Sequence, residues 1–264
     1  MQINFISLAS GSSGNCFYIG TADCAILIDA GIAVRNIKKR LHNAGLDLNK
    51  VRAVFITHDH IDHIKSAGVL SEKSFLPVYA TAKTHDAMEN SCIFRQKVHS
   101  NKYVMDKNLP VAFDDFTVEA FGISHDGCDC VGYTVHFSGK RFTLITDLGY
   151  ICENAKEHIV NANYLVIEAN YDEQMLDSGT YPLSLKQRIK SSTGHLSNVQ
   201  TADFLAENIN EKLSHVWLCH LSKDNNSPHL AYKTVTEKLK EKNININLYV
   251  LPRTSPSDVF VLGK

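Results

Sequence analysis

The chain has almost no net charge, no long apolar run and no cysteine framework, and each shortage closes off a class of protein. Its 27 Lys and Arg face 28 Asp and Glu, for a formal net charge of −1. Bulk charge therefore announces no nucleic-acid partner, and any basic surface must be local. No apolar stretch nears the roughly 20 residues a bilayer-spanning helix needs, so no membrane partner is expected. The start, Met1-Gln2-Ile3-Asn4-Phe5, lacks the basic segment of an export signal and enters a strand at once. The seven cysteines are scattered, with Cys128-x-Cys130 the only close pair. An odd count without an export signal reads as reduced thiols and a cytoplasmic location. Linkers, repeats and low-complexity tracts are also missing, so the 264 residues read as one domain, 1–264, ample for a sizeable core.

What is present alternates short apolar strands with amphipathic helices. Strands are expected near Ile3–Leu8, Phe17–Gly20, Ala25–Asp29, Ala53–Thr57, Val78–Ala80, Phe116–Phe121, Val131–Phe137, Phe142–Thr146, Leu165–Glu168, Val216–Cys219, Asn247–Val250 and Val259–Leu262. A helix over Val34–Ala44 places Ile37 and Leu41 on one face, with Gly45 as its stop. A second follows Ser197, and a third opens with Ser227-Pro228, an N-cap with proline at the first helical position. Asp177–Pro182 is the best candidate for a long loop. Hairpins lead into strand–helix units twice, which suits an α/β protein built as a four-layer αββα sandwich.

The chemistry is concentrated in Thr57-His58-Asp59-His60-Ile61-Asp62-His63, three imidazoles and two carboxylates directly after the apolar run Val51–Ile56. Imidazole nitrogen and carboxylate oxygen are ligand types that divalent zinc, manganese and iron accept. His58 and His60, two apart in extended backbone, point the same way and suit one ion. Asp62 and His63 lie past the turn and suit a second. Near the N-terminus, Ser10-Gly11-Ser12-Ser13-Gly14-Asn15 joins two strands. Its small residues let backbone N–H groups approach an anion; a tight hairpin turn explains the same composition equally well.

The pattern H-x-H-x-D-H after a buried strand resembles the signature of the metallo-β-lactamase superfamily. Downstream, His125, Asp147 and His220 follow in the expected order at strand ends. Singly, each has an ordinary structural explanation; jointly they extend the resemblance. It implies that His58, His60 and His125 hold one divalent ion, Asp62, His63 and His220 a second, and Asp147 bridges them. Superfamily phosphodiesterases place a Glu and a His beside the metals, which makes Glu168 and His195 the candidates for orienting and donating a leaving-group proton. Across nearly the whole chain, Ser10–Asn15, Thr57–His63, Ile123–Asp126, Thr146–Gly149, Thr193–Asn198 and Cys219–Ser222 resemble the WalJ/YycJ group of this superfamily. That resemblance implies a cytoplasmic exonuclease with two divalent ions (zinc, manganese or iron), acting 5′ to 3′ on DNA. Asp59 stands where the group more often has Glu, and either positions the attacking hydroxide or supports the ligands. Ser10, Ser12, Ser13, Asn15 and Ser222 would hold a terminal phosphate.

Spacing separates relatives. Only 22 positions divide His125 from Asp147, too few for the tRNA-binding arm of ribonuclease Z-type enzymes. Only 73 divide Asp147 from His220, too few for the extra domain of the larger β-CASP nucleases. A small-molecule hydrolase, such as a thioesterase or cyclic phosphodiesterase, remains the alternative enzyme, and a metal-bound regulator the alternative outside catalysis. Lys186, Arg188 and Lys190 lie upstream of His195 as a basic guide for a phosphate backbone or as a solvated charge run.

Overall fold

A computed structural model describes residues 1–263 of the chain. Its strands are β1 (Ile3–Ala9), β2 (Cys16–Gly20), β3 (Ala25–Ile28), β4 (Val51–Phe55), β5 (Val78–Ala80), β6 (Lys102–Val104), β7 (Val111–Ala112), β8 (Thr117–Gly122), β9 (Val131–Phe137), β10 (Lys140–Ile145), β11 (Tyr164–Glu168), β12 (His215–Cys219), β13 (Asn247–Val250) and β14 (Phe260–Leu262). Its helices are α1 (Val34–Asn43), α2 (Ile61–Ile64), α3 (Ala67–Ser74), α4 (Ala82–Asn90), α5 (Glu153–Val160), α6 (Glu173–Ser178), α7 (Leu183–Lys190), α8 (Asn198–Asn208) and α9 (Pro228–Glu241). The strands form two seven-stranded mixed sheets, in the orders β14-β1-β2-β3-β4-β5-β6 and β13-β12-β11-β10-β9-β8-β7. The chain divides into two compact units: residues 1–120, 127–131 and from Pro252 onward, and residues 121–126 with 132–251.

In the first unit, β14, β1, β2 and β3 pair antiparallel, and β3 through β6 continue in parallel. The change of direction needs a crossover, which α1 supplies between β3 and β4. Strands β2 and β3 are buried at every residue, so they read as unbroken apolar runs without alternation. Ile37 and Leu41 of α1 are fully buried in a cluster with Ile6, Leu8, Tyr18 and Leu27. Gly45, expected as the stop, has φ +72° two residues beyond the helix.

The second unit repeats the scheme. Strand β10 pairs antiparallel with β9 and parallel with β11, which continues in parallel to β12 and β13. Helices α5, α8 and α9 fall on the intervening crossovers. Ser197 and Gln200 close a reciprocal capping box at the start of α8. Ser227 Oγ accepts from Leu230 N at 3.2 Å at the start of α9, whose first residue is Pro228. Both starts were marked in the sequence. No helix among the described residues is long and apolar enough to cross a membrane.

The sequence-based expectations miss the short strands β6 and β7, whose residues are mostly exposed and carry no alternation. They also fail at Asp177–Pro182. Asp177 and Ser178 close α6, and α7 begins at Leu183, so only 179–182 is loop. The N-cap Asp172, whose side chain accepts from Met175 N at 2.9 Å, starts α6 in a stretch too short to show a helical period.

Candidate metal centre

In the first unit the His-rich cluster begins where β4 ends, and its side chains are held from behind by Asp29. Asp29 lies just past β3, is fully buried, and has a left-handed backbone with φ 61°. Its Oδ1 accepts from Thr57 N at 2.9 Å and its Oδ2 from Thr57 Oγ1 at 3.0 Å. His63 Nδ1 donates to Asp29 Oδ2 at 2.7 Å. A His whose Nδ1–H is spent on a carboxylate presents Nε2 as a lone pair, the form a metal ligand requires. Thr57 Oγ1 also lies 2.9 Å from His58 Nδ1. The His58 ring stands 4.5 Å from His60 and 4.1 Å from His63, centroid to centroid. His60 is the N-cap of α2, so Asp62 and His63 sit in its first turn.

This packing leaves no room for side chains on the neighbouring backbone. A Cβ on Gly31 would fall 1.6 Å from the Asp62 carbonyl oxygen, so the turn after β3 closes on the cluster only with glycine there. Asp59 is half-buried, and its Oδ1 accepts from Cys128 N at 2.7 Å. Ser10 and Asn15 of the β1–β2 loop are buried, whereas Ser12 and Ser13 are exposed. Asn15 turns its amide to Asp62 and His63, with Nδ2 at 3.3 Å from Asp62 Oδ2 and 2.9 Å from His63 Nε2.

In the second unit Asp147, Glu168, His195 and His220 offer ligand atoms that all lie within 4.8 Å of one another. Asp147, Glu168 and His220 come from the carboxyl ends of the adjacent strands β10, β11 and β12, the edge where parallel sheets present their functional groups. Asp147 and His220 both adopt left-handed backbone, with φ 57° and 54°. Glu168 is fully buried and is the hub. Its Oε2 accepts from Leu148 N at 2.9 Å and Leu196 N at 3.1 Å. Its Oε1 accepts from His195 Nδ1 at 2.8 Å and His220 Nδ1 at 3.0 Å. Burial alone would push the Glu168 carboxyl up; the His195 charge and these hydrogen bonds outweigh it and hold the group at about 2. For His195 burial disfavours the cation, yet the Glu168 carboxylate raises its pKa above the ordinary value. His195 is one-fifth exposed at its side chain.

His125 Nδ1 donates to the Gly194 carbonyl at 3.0 Å, which again leaves Nε2 as the nitrogen that carries the lone pair. Gly194 is required there, since a Cβ would lie 2.2 Å from the Ile189 carbonyl oxygen. Burial lowers the His125 pKa, which favours the neutral ring. Asp126, beside it, pairs with Arg188 Nε at 2.6 Å, while Lys186 and Lys190 of α7 bond to the carbonyl and carboxylate of Asp177. The basic run before His195 is therefore engaged with acidic and carbonyl groups of its own unit. Ser222 N donates to Asn170 O at 2.7 Å, and its Oγ accepts from Asn225 N at 3.2 Å.

Three supporting groups received no role from the sequence: Asp29, Asn170, whose Nδ2 donates to the His220 carbonyl at 2.7 Å, and the Gly194 carbonyl. Asp29 had a signal, an acid closing a fully apolar strand before Ala30-Gly31. The other two had none, because a carbonyl is common to every residue and Asn170 lies in a short link after β11 outside any motif. As a donor set the residues fit divalent ions: carboxylates and imidazoles, with His63, His125 and His220 each tied through Nδ1 to a carboxylate or carbonyl.

Residues 25–217 match the family model described as a beta-lactamase superfamily domain. The exodeoxyribonuclease YycJ of Bacillus anthracis is 39% identical over 246 residues, covering 93% of this chain and 92% of that protein. The exodeoxyribonuclease WalJ of Streptococcus pneumoniae serotype 2 is 37% identical over 250 residues, covering 94% and 93%. Among solved structures, the metallo-β-lactamase fold protein YhfI of Bacillus subtilis superposes with a TM-score of 0.74 at 16% identity, covering 99% of this chain and all of that one. Two mixed sheets with flanking helices are the layers this fold requires, as the αββα expectation held. Family model, near-full-length relatives and fold agree: the chain belongs to the metallo-β-lactamase superfamily, in its YycJ/WalJ group, and is a metal-dependent hydrolase.

Proposed function

We propose that the protein is a two-metal phosphodiester hydrolase, a 5′-to-3′ exonuclease on DNA. The observation that carries the phosphodiesterase reading is the pairing of the buried Glu168 with the partly exposed His195 among metal-ligand types. The relatives named exodeoxyribonuclease over almost the full chain support the nucleic-acid substrate. His58, His60 and His125 would hold one divalent ion, zinc, manganese or iron; Asp62, His63 and His220 would hold the other, with Asp147 shared. When bound, such ions supply positive charge at the phosphate oxygens and lower the pKa of a water toward neutrality.

The remaining chemistry falls to the chain's own residues. Glu168 fixes the His195 imidazole through Nδ1, so Nε2 is the atom that carries a proton to the leaving sugar oxygen. The carboxylate also raises the pKa of that ring, which favours the protonated form an acid needs before it donates. Asp59, tied to Cys128 N, would orient the metal loop or the attacking hydroxide. The Ser10–Asn15 loop and Ser222 would hold a terminal 5′ phosphate, with the exposed Ser12 and Ser13 as its outward side chains. Family model and relatives run through both compact units, which supports one metallo-β-lactamase-fold domain over 1–264. Seven scattered cysteines suit a reducing cytoplasm.

The test is digestion by metal-reconstituted protein of end-labelled single- and double-stranded DNA and RNA, with and without a 5′ phosphate. Faster loss of nucleotides from phosphorylated 5′ ends of DNA is expected. Rapid thioester turnover without nuclease activity would replace this reading with that of a small-molecule hydrolase.

A further inference from the structure

We infer that Asn15, on the β1–β2 loop, is a positioning residue for the metal ligand Asp62, and that it sets the affinity of one ion. The inference rests on the proposed assignment of Asp62 and His63 to metal. Asn15 is fully buried, and both its backbone N–H and its side-chain amide reach the Asp62–His63 stretch. Its backbone N–H donates to the Asp62 carbonyl at 2.7 Å, and its carbonyl accepts from Gly31 N at 2.8 Å. The side-chain Nδ2 lies 3.2 Å from the Gly11 carbonyl, 3.3 Å from Asp62 Oδ2 and 2.9 Å from His63 Nε2.

An amide nitrogen has two hydrogens and here meets three acceptors. With no ion bound, the imidazole lone pair of His63 is one of them, because its Nδ1–H already serves Asp29. When an ion takes that lone pair, Gly11 O and Asp62 Oδ2 remain as the two acceptors. Both amide hydrogens therefore keep an acceptor once the amide has turned off the His63 lone pair, and one of those acceptors is a carboxylate oxygen of Asp62. A ligand whose rotamer is fixed in advance loses less freedom on binding, and supporting hydrogen bonds of this kind typically change metal affinity 10–100-fold. The same contact ties the glycine- and serine-rich loop to the metal loop, so that Ser12 and Ser13 are presented from an anchored base.

The experiment is a cycle of Asn15→Ala, Asp62→Ala and the double variant in the full-length protein. Zinc and manganese dissociation constants would be read by chelator competition, with circular dichroism to confirm folding. Asn15→Ala is expected to weaken one ion by roughly 10-fold or more and leave the other unchanged. In the Asp62→Ala background it should then cost no further affinity, the signature of a residue acting through Asp62. Unchanged binding in Asn15→Ala, or an equal added loss without Asp62, would overturn the inference. If Asp62→Ala itself keeps two tight ions, the ligand assignment fails instead. Should Asn15→Ala not fold, Asn15→Ser removes the amide with a smaller void and enters the same cycle.

Discussion

His195 and His220 share one acceptor: both Nδ1 atoms point to Oε1 of Glu168, at 2.8 Å and 3.0 Å. A single buried carboxylate thus orients the proposed proton donor and a proposed metal ligand together. The two residues differ in exposure, 20% against 3% at the side chain, which matches a donor that reaches substrate and a ligand that does not.

Glu168→Gln is therefore expected to lower both metal affinity and turnover. The amide cannot accept two N–H groups with the strength of a carboxylate, and its NH₂ opposes the Leu148 and Leu196 donors if turned toward them. Metal affinity should fall roughly 10–100-fold. Chelator competition on the variant checks this, and unchanged metal affinity with reduced turnover would confine Glu168 to His195.

His195→Ala should keep its metal content and lose roughly 10²–10⁴-fold in rate on DNA, the usual contribution of a positioned proton donor. The loss should shrink on a nitrophenyl phosphodiester, whose leaving oxygen needs no proton. An equal loss on both substrates would remove His195 from proton transfer.

Asp147→Ala tests the shared ligand. Elemental analysis should find fewer than two divalent ions per chain. Two tightly held ions in the variant would end the bridging assignment.

The pH dependence of stability has a readable contributor in Glu72 of α3. Backbone N–H groups of His99 and Ser100 donate to Glu72 Oε1 and hold its carboxyl at about 2. A carboxyl depressed in the folded state stabilises fully above its unfolded value, about 4.3, and loses that contribution as pH falls toward 2. Glu72→Gln should lower the urea midpoint at pH 7, and the gap to wild type should narrow below about pH 4. A gap that stays constant with pH would show that Glu72 acts through packing.

Much of this was legible in the sequence because the informative residues cluster. His58, His60, Asp62 and His63 fall within six positions, and Ser227-Pro228 marks a helix start by local chemistry alone. The strands that hold the site are buried on both faces and so stand out as apolar runs. What stayed hidden depends on three-dimensional neighbours. Gly194 reaches His125 across 69 positions, and the part played by Asn15 appears only once its amide is seen between Asp62 and His63. The basic residues of α7 read equally as a phosphate guide or a solvated charge run, and their pairing with Asp126 and Asp177 depends on three-dimensional neighbours.

The left-handed backbone at Asp29, Asp147 and His220 sets what these positions can become. Asn and Gly tolerate that conformation, and β-branched residues do not. An Asn replacement would thus change the chemistry and keep the path of the chain, whereas Val or Ile would bend the strand exit itself. Damage from a β-branched replacement at any one of the three should spread to neighbouring histidines and carboxylates that were never altered.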